Sequence, residues 1–551
     1  MHVDVGSAAI DLIIRYLFTG SVSGMNIREA KEEIIRTVNA YRRKDDAGAY
    51  EIPPEQQRPI LLMGPPGIGK TAIMEQIAST CGIGLVSYTI THHTRQSAIG
   101  LPMIAEKLFD GVAHSVTEYT MSEIVASVYD QIARTGIREG ILFLDEINCV
   151  SETLAPTMLQ FLQYKMFGTH KVPEGWIIVT AGNPPQYNRA ARDFDIVTLD
   201  RVKKMEITAD FEVWKEYAYR AGIHGAVLSY LEVKPQHFYF IRTELDGRHF
   251  VTARGWEDLS RMIASYEKMG EPVTEQMTIQ YLQDAEIARD FTMYYELYRK
   301  YSEQYRVKDI LAGTMPPEPE QIRNVPFDEK LSLIRLLADM LHQEFMQFDE
   351  RRSVQEKLYE QLLAYREELS GQTGLQGAAP GSERDETPGD DAAGRTDAVS
   401  LLKARGEELR EELQIRLDAS MISREEERRL RLTCKAWDEL VHVVMLDDAS
   451  GREADPDQAF GAAKEWFTVR ETARQQYAGQ VGEMITNAFA FLTSVYGTGQ
   501  EIVMFLTELN ADWYCLQYIS TYGNEAYEKY NRMLLLRDRQ ESLRQEILAF
   551  S

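Results

Sequence analysis

The residues with the clearest chemistry stand at 64–71. Gly64-Pro65-Pro66-Gly67-Ile68-Gly69-Lys70-Thr71 fits the pattern G-x-x-x-x-G-K-[ST]. Glycines let a backbone curl so that successive N–H groups face one phosphate chain. A helix that starts at such a loop adds its positive end. In such a loop the lysine reaches the β- and γ-phosphates and the threonine hydroxyl ligates Mg²⁺, roles that fall to Lys70 and Thr71.

A phosphate loop needs an acidic partner on a neighbouring strand, and Ile141-Leu142-Phe143-Leu144-Asp145-Glu146 supplies one. Asp145 is expected to hold Mg²⁺, directly or through water. Glu146 is expected to orient and deprotonate the attacking water. A third apolar run, Gly175 to Ala181, ends in Gly182-Asn183-Pro184-Pro185. The Asn183 amide there suits either a contact to the γ-phosphate and lytic water or a plain turn, since Asn-Pro starts turns readily.

These residues need rigid elements to carry them. Ile60–Met63, Gly84–Tyr88, Ile141–Leu144 and Trp176–Val179 are short apolar runs separated by helical patterns. That alternation predicts an α/β fold with a parallel sheet buried on both faces. Ligands then bind at the carboxyl ends of the strands, where the motifs lie. A helix is expected after the loop, with Ile73, Met74 and Ile77 on one face. Another is expected over 124–132, with Thr120 to Glu123 as its capping box. The stretch 102–134 is longer than the simplest strand connection.

The chain has 551 residues, and six segments are expected. Residues 1–50 form an N-terminal helical segment, with Ile27, Ala30, Ile34, Ile35 and Val38 at helical spacing. The nucleotide-binding core spans 51–210. A helical lid spans 211–312, with a hairpin turning at Asp246-Gly247. A helical extension covers 313–369. Residues 370–397 are rich in Gly, Pro, Ser, Asp and Glu and read as a flexible linker. Residues 398–551 form an all-helical C-terminal domain, broken by a polar loop near 447–458. That domain is expected either to separate as a small bundle or to pack on the lid.

Composition excludes several classes. Lys and Arg number 60 against 85 Asp and Glu, a net charge of −25. A chain so acidic has no overall pull toward phosphate backbones or anionic lipid, which argues against nucleic acid and membrane partners. The N-terminus lacks a basic signal region and no apolar stretch is long enough to span a bilayer, so a cytoplasmic location is expected. The 4 cysteines have no ligand spacing and read as free thiols. His92-His93, read as strand neighbours, point to opposite faces and make a poor chelate.

The order of motifs resembles the AAA+ ATPases. Leu144-Asp145-Glu146-Ile147-Asn148, Ala181-Gly182-Asn183-Pro184 and Thr198-Leu199-Asp200-Arg201 are similar to the MoxR-like branch, over about residues 55–265. The resemblance implies an αβα P-loop core with a helical lid and an ATPase that uses Mg²⁺. It makes Asn183 the sensor 1 residue and Arg201 an arginine finger acting on a neighbouring subunit of a ring, usually a hexamer. It makes Arg254 the sensor 2 residue. A bland alternative stands beside each arginine: a surface position for Arg201, and pairing with Glu257 or Asp258 for Arg254. The branch further implies chaperone-like remodelling or maturation of a protein client, often with a von Willebrand A domain partner. It also places the insertion near the ring axis, where it touches substrate; packing of the 124–132 stripe in the core is the plainer reading. Two other functions are weighed, a restriction-type nucleic-acid motor and an ATP-binding signalling scaffold. The acidic charge opposes the first and an intact Glu146 the second.

Overall fold

The computed structural model describes residues 24–92, 98, 100–110, 112–188, 190–243, 247–316, 319–373, 398–447 and 456–534. The expectations for residues 1–23, His93, Asp246, residues 374–397 and most of the 447–458 loop lie outside the described residues. Two compact units are present: one reaches Val213 and includes Asp418–Ile422, and the other holds Trp214–Leu417 and the chain from Ser423.

In the first unit, α1 (Ile27–Arg42) precedes β1 (Ile60–Met63), α2 (Ala72–Cys81) and β2 (Gly84–Thr89). A hairpin follows, β3 (Pro102–Phe109) and β4 (Val112–Tyr119), then α3 (Glu123–Thr135) and β5 (Gly140–Asp145). Next come α4 (Ala155–Tyr164), the short pair β6 (Met166–Phe167) and β7 (His170–Lys171), and β8 (Trp176–Gly182). The one-turn α5 (Ile196–Leu199) and β9 (Lys203–Glu206) complete it. Five strands form the sheet, in the order β2-β5-β8-β1-β9, and every pairing is parallel. β8 is buried along its whole length and β5 nearly so. Such continuous apolar runs require helices on both faces. Leu61, Leu142, Leu144 and Ile178 share one core with Ile124, Val125 and Val128 of α3, and with Met158 and Phe161 of α4.

Two local expectations are corrected. Ser122, not Thr120, caps α3, accepting from Ile124 N at 3.2 Å. Thr120 instead closes the hairpin base, its Oγ1 accepting from Leu101 N at 2.8 Å. Ile90–His92 is a 3₁₀ turn rather than strand, so the two-face argument for the histidines does not apply. The β3–β4 hairpin itself was not legible, because neither strand has a buried face to impose an alternating pattern.

The second unit is helical. It begins with α6 (Phe211–Arg220) and α7 (Gly225–Val233), followed by the hairpin β10 (Phe240–Thr243) and β11 (Arg248–Val251). Then come α8 (Ala253–Met269), α9 (Glu275–Leu282), α10 (Ala285–Tyr305), α11 (Val307–Leu311) and α12 (Pro319–Arg323). The long α13 (Phe327–Thr373) precedes α14 (Ala398–Asp418), α15 (Arg424–Asp447), α16 (Pro456–Tyr496), α17 (Gln500–Ala511) and α18 (Trp513–Tyr522). Tyr230, Trp256 and Phe291 meet edge to face or tilted, with ring centroids 5.3–5.6 Å apart.

The first half of α13 packs Leu337, Leu341 and Phe345 against Val481, Ile485 and Phe489 of α16 and Phe505 of α17. Its second half packs Leu358, Leu362 and Tyr365 against Leu402 of α14 and Trp437 of α15. The helices on either side of the expected linker therefore share their cores. Gly225 opens α7 because the Asp339 carboxylate of α13 fills the space a side chain would take: a Cβ there would lie 1.9 Å from Asp339 Oδ2. Burial pushes the Asp339 carboxyl up to about 6, against the opposing hydrogen bond from Tyr298 at 2.8 Å.

Two outcomes follow. A chain ended after Leu369 leaves Phe345, Leu358 and Tyr365 without partners, so it should be insoluble or bind a hydrophobic dye strongly. A soluble, cooperatively folded product would refute the shared core. Asp339 binds its proton more tightly folded than unfolded, so its contribution to stability falls as pH rises from about 4 through about 6. The melting temperature of Asp339→Asn should therefore gain on the wild type as pH is raised from ~5 to ~7; parallel curves would contradict it.

Candidate functional site

The carboxyl ends of β1, β5 and β8 meet at one rim. β1 pairs in register with β8, Met63 opposite Gly182, and β5 pairs with β8, Leu144 opposite Thr180. The loop leaving β1 curls through Gly67 (φ 74°) and Gly69 (φ 93°), left-handed values that glycine adopts without strain. Gly64 is needed for a different reason: a Cβ there would lie 2.7 Å from the carbonyl oxygen of Ile207. Beneath the loop, Ile68 is buried, and α2 anchors it with Ile73, Met74 and Ile77. Pro65 and Pro66 are half-buried on the outer turn.

Lys70 is only 7% exposed. Its ammonium donates to Gly64 O at 2.8 Å, Pro65 O at 2.7 Å and Asn183 Oδ1 at 2.8 Å. Thr71 Oγ1 donates to Asp145 Oδ2 at 3.0 Å. A hydroxyl and a carboxylate at this distance are the oxygen donors a hard divalent cation takes, so this pair fits Mg²⁺. Lys70, Thr71, Asp145 and Asn183 are thus brought together from three strand ends.

Glu146 follows Asp145 directly and sits at φ 57°. A non-glycine residue held there is strained by about 1–3 kcal/mol, a cost found typically at functional positions. Its amide donates to Asp145 Oδ1 at 2.9 Å, and its Oε2 accepts from Thr91 Oγ1 at 2.9 Å. Thr91, two residues beyond β2, was not singled out from sequence; only the pairing of Thr89 with Asp145 brings it close.

Asn148 stands in a quoted motif, but the motif does not reveal its role. It is buried, and its Nδ2 donates to Asn183 O at 2.8 Å and Arg192 O at 3.4 Å. Gly182 makes room for it, since a Cβ at 182 would lie 2.5 Å from Asn148 Oδ1. Asn148 thereby ties the turn after β5 to the loop carrying Asn183. Next to it, burial and then the Glu146 and Asp145 charges push the Cys149 thiol up, keeping it protonated.

The two arginines lie on other elements. Arg201 lies exposed in the turn between α5 and β9, beside Ile196 and Val197, which are 84% and 56% exposed. The strand after it begins at Lys203. Arg254 belongs to the second unit, exposed in the first turn of α8. The alternative pairing for Arg254 is not formed: Glu257 and Asp258 both pair with Arg261.

Residues 60–199 match the family described as "ATPase family associated with various cellular activities (AAA)". The matched residues hold four of the sheet's five strands, β1, β2, β5 and β8, and the rim just described, so an AAA ATPase domain lies there. Among curated proteins, Midasin from Giardia intestinalis is 31% identical over 111 residues, which is 20% of this chain. The chain spans about 2% of that relative's length. No helix among the described residues is long and apolar enough to cross a membrane.

Replacing the buried Asn148 by Ala would leave the part-buried carbonyl of Asn183 without this donor. Leaving such a group unpaired costs about 1–3 kcal/mol. Asn148→Ala should lower the unfolding free energy of the first unit by that amount in denaturant titration, and an unchanged midpoint would show that water replaces the amide.

Proposed function

We propose that this chain is an ATP-hydrolysing machine of the MoxR-like branch, forming a ring, often a hexamer, that remodels or matures a protein client. The observation that carries it is the convergence of Lys70, Thr71, Asp145 and Asn183 at the sheet rim, inside a domain matched to the AAA ATPases.

In this reading the backbone N–H groups of Gly67 to Gly69 and the ammonium of Lys70 receive the β- and γ-phosphates, which replace the loop carbonyls as partners of Lys70. Thr71 and Asp145 would hold Mg²⁺, which would supply positive charge against the charge building on the phosphoryl oxygens. Glu146, aimed by Thr91, takes the proton from the attacking water, and Asn183 orients that water against the γ-phosphate. The exposed Arg201 is free to reach a neighbouring copy, and Ile196 and Val197 beside it supply apolar surface for that contact. Arg254 serves as the lid's sensor. A fixed, forked cation suits both arginine roles, because it meets two phosphoryl oxygens at once.

The β3–β4 hairpin supports contact with a client. Ile104 is 79% exposed and Leu108 74%, and the tip adds Phe109 and Val112. A run of exposed apolar side chains on one arm marks an interaction site more often than a solvated surface. A von Willebrand A domain protein is the partner that the branch resemblance favours.

Lys70→Ala should abolish binding of a fluorescent ATP analogue or weaken it severely. Unchanged affinity and turnover would refute the phosphate-loop reading. Glu146→Gln should keep binding and lose ~10²–10⁴ in hydrolysis rate. Arg201→Ala should bind ATP yet lose up to ~10³–10⁵ in rate. Mixing Arg201→Ala with Lys70→Ala subunits should restore part of the activity, because some interfaces then hold one intact site. No recovery in a proven mixed ring would remove Arg201 from the trans role.

A further inference from the structure

The segment Asp418–Ile422 is built into the ATPase unit although the chain on both sides of it belongs to the helical unit. It bonds to two elements at once. Ala419 O accepts from Leu85 N of β2 at 3.0 Å. Asp418 O accepts from Gln131 Nε2 of α3 at 2.7 Å and from Arg134 Nη2 at 3.3 Å. Gln131 is 3% exposed, so a buried amide is committed to this one carbonyl and, through its Oε1, to Arg134 at 2.6 Å. Ala419 is fully buried and Ile422 nearly so. Ser420 holds a left-handed φ of 52° between them. A non-glycine residue in that region persists only where its surroundings over-determine it.

The place where it docks matters for catalysis. β2 is an edge strand, with β5 as its one neighbour in the sheet. Its register sets Tyr88 opposite Leu144 and Thr89 opposite Asp145. Two residues on, Thr91 holds Glu146 Oε2 at 2.9 Å. Among the described residues the Glu146 carboxylate has no other hydrogen bond. The aim of Glu146 therefore depends on where β2 lies, and β2 is fixed by β5 on one side and by Ala419 on the other.

We propose that Asp418–Ile422 is a positioning clamp for hydrolysis: by fastening β2 to α3 it fixes the Thr91 hydroxyl and, through it, the reactive direction of Glu146. The clamp touches neither nucleotide nor water. It rests on the reading of Glu146 as the base. Because α14 leads into it and α15 leads out, whatever binds the C-terminal helices has a covalent route to the rate of the chemical step.

The test uses the full chain. Gln131→Ala with Arg134→Ala removes both side-chain donors to Asp418 O, and Ala419→Arg removes the fit against β2. Both variants should bind a fluorescent ATP analogue as the wild type does, keep KM, and lose kcat about 10-fold or more, since a misplacement of about 1 Å can cost 10²-fold. Arg134→Lys alone, which keeps the cation, should restore most of the rate. Combined with Glu146→Gln, the clamp variants should cause no further loss, because residues acting as one unit are non-additive. Wild-type kcat in both variants, parallel loss of binding and turnover, or an additive loss on top of Glu146→Gln would each overturn the clamp. If Glu146→Gln alone hydrolyses normally, the base assignment fails instead, and the two failures stay distinct. Should both variants misfold, amide exchange on the wild type decides: residues 85–91 and 418–422 should change protection together when an ATP analogue binds, and independent behaviour refutes the coupling.

Discussion

A buried ammonium is costly, and the nucleotide rim is organised around one. Removing an ion from water costs several kcal/mol even after relaxation, so Lys70 has to be surrounded by oxygens. Three of them come from fixed places: two carbonyls of its own loop and the side chain of Asn183. This requires the loop to curl, which the left-handed Gly67 and Gly69 permit. It also requires β8 to end level with β1, which the register between Met63 and Gly182 achieves. Gly182 in turn has no side chain so that Asn148 can brace the loop that presents Asn183. Each of these glycines serves the placing of one cation in a buried pocket.

Most of this was legible in the sequence because the strands that carry it are buried on both faces. Ile60–Met63, Ile141–Leu144 and Trp176–Val179 are continuous apolar runs, and each is followed shortly by side chains that meet at the rim. What escaped notice depends on pairing between distant segments. Thr91 lies beside Glu146 only through the register of β2 on β5. Asn148 stood in a quoted motif, yet its bond to the Asn183 carbonyl is a tertiary fact. The β3–β4 hairpin was hidden because periodicity records burial, and its strands are exposed on both faces. The capping box at Thr120 misled for a related reason: Thr120 found a better partner in Leu101 across the hairpin base, leaving Ser122 to cap.

The helical unit shows the same limit on a larger scale. A composition break at 370–397 suggested two modules, and composition is blind to which helices pair across a break. Trp437 donates its indole N–H to Leu402 O at 2.9 Å, within the core that also holds Leu358 and Tyr365. Interdigitation of this kind makes the two sides one cooperative body, because neither stripe is buried without the other. The Asp339 carboxylate against the start of α7 adds a polar joint inside that body.

The two outer strands of the sheet carry one more implication. Unpaired strand edges invite pairing with another chain. On β9 the outer side is taken by Met25, whose amide donates to Glu206 O at 2.8 Å and whose carbonyl accepts from Thr208 N at 2.9 Å. On β2 an outward amide, that of Leu85, is taken by Ala419. Both margins are thus stoppered by segments from far away in the chain. A nascent chain passes through a stage at which residues 1–213 have emerged and residues 418–422 have not. During that interval the β2 margin lacks its stopper, which makes the order of synthesis itself a source of aggregation risk.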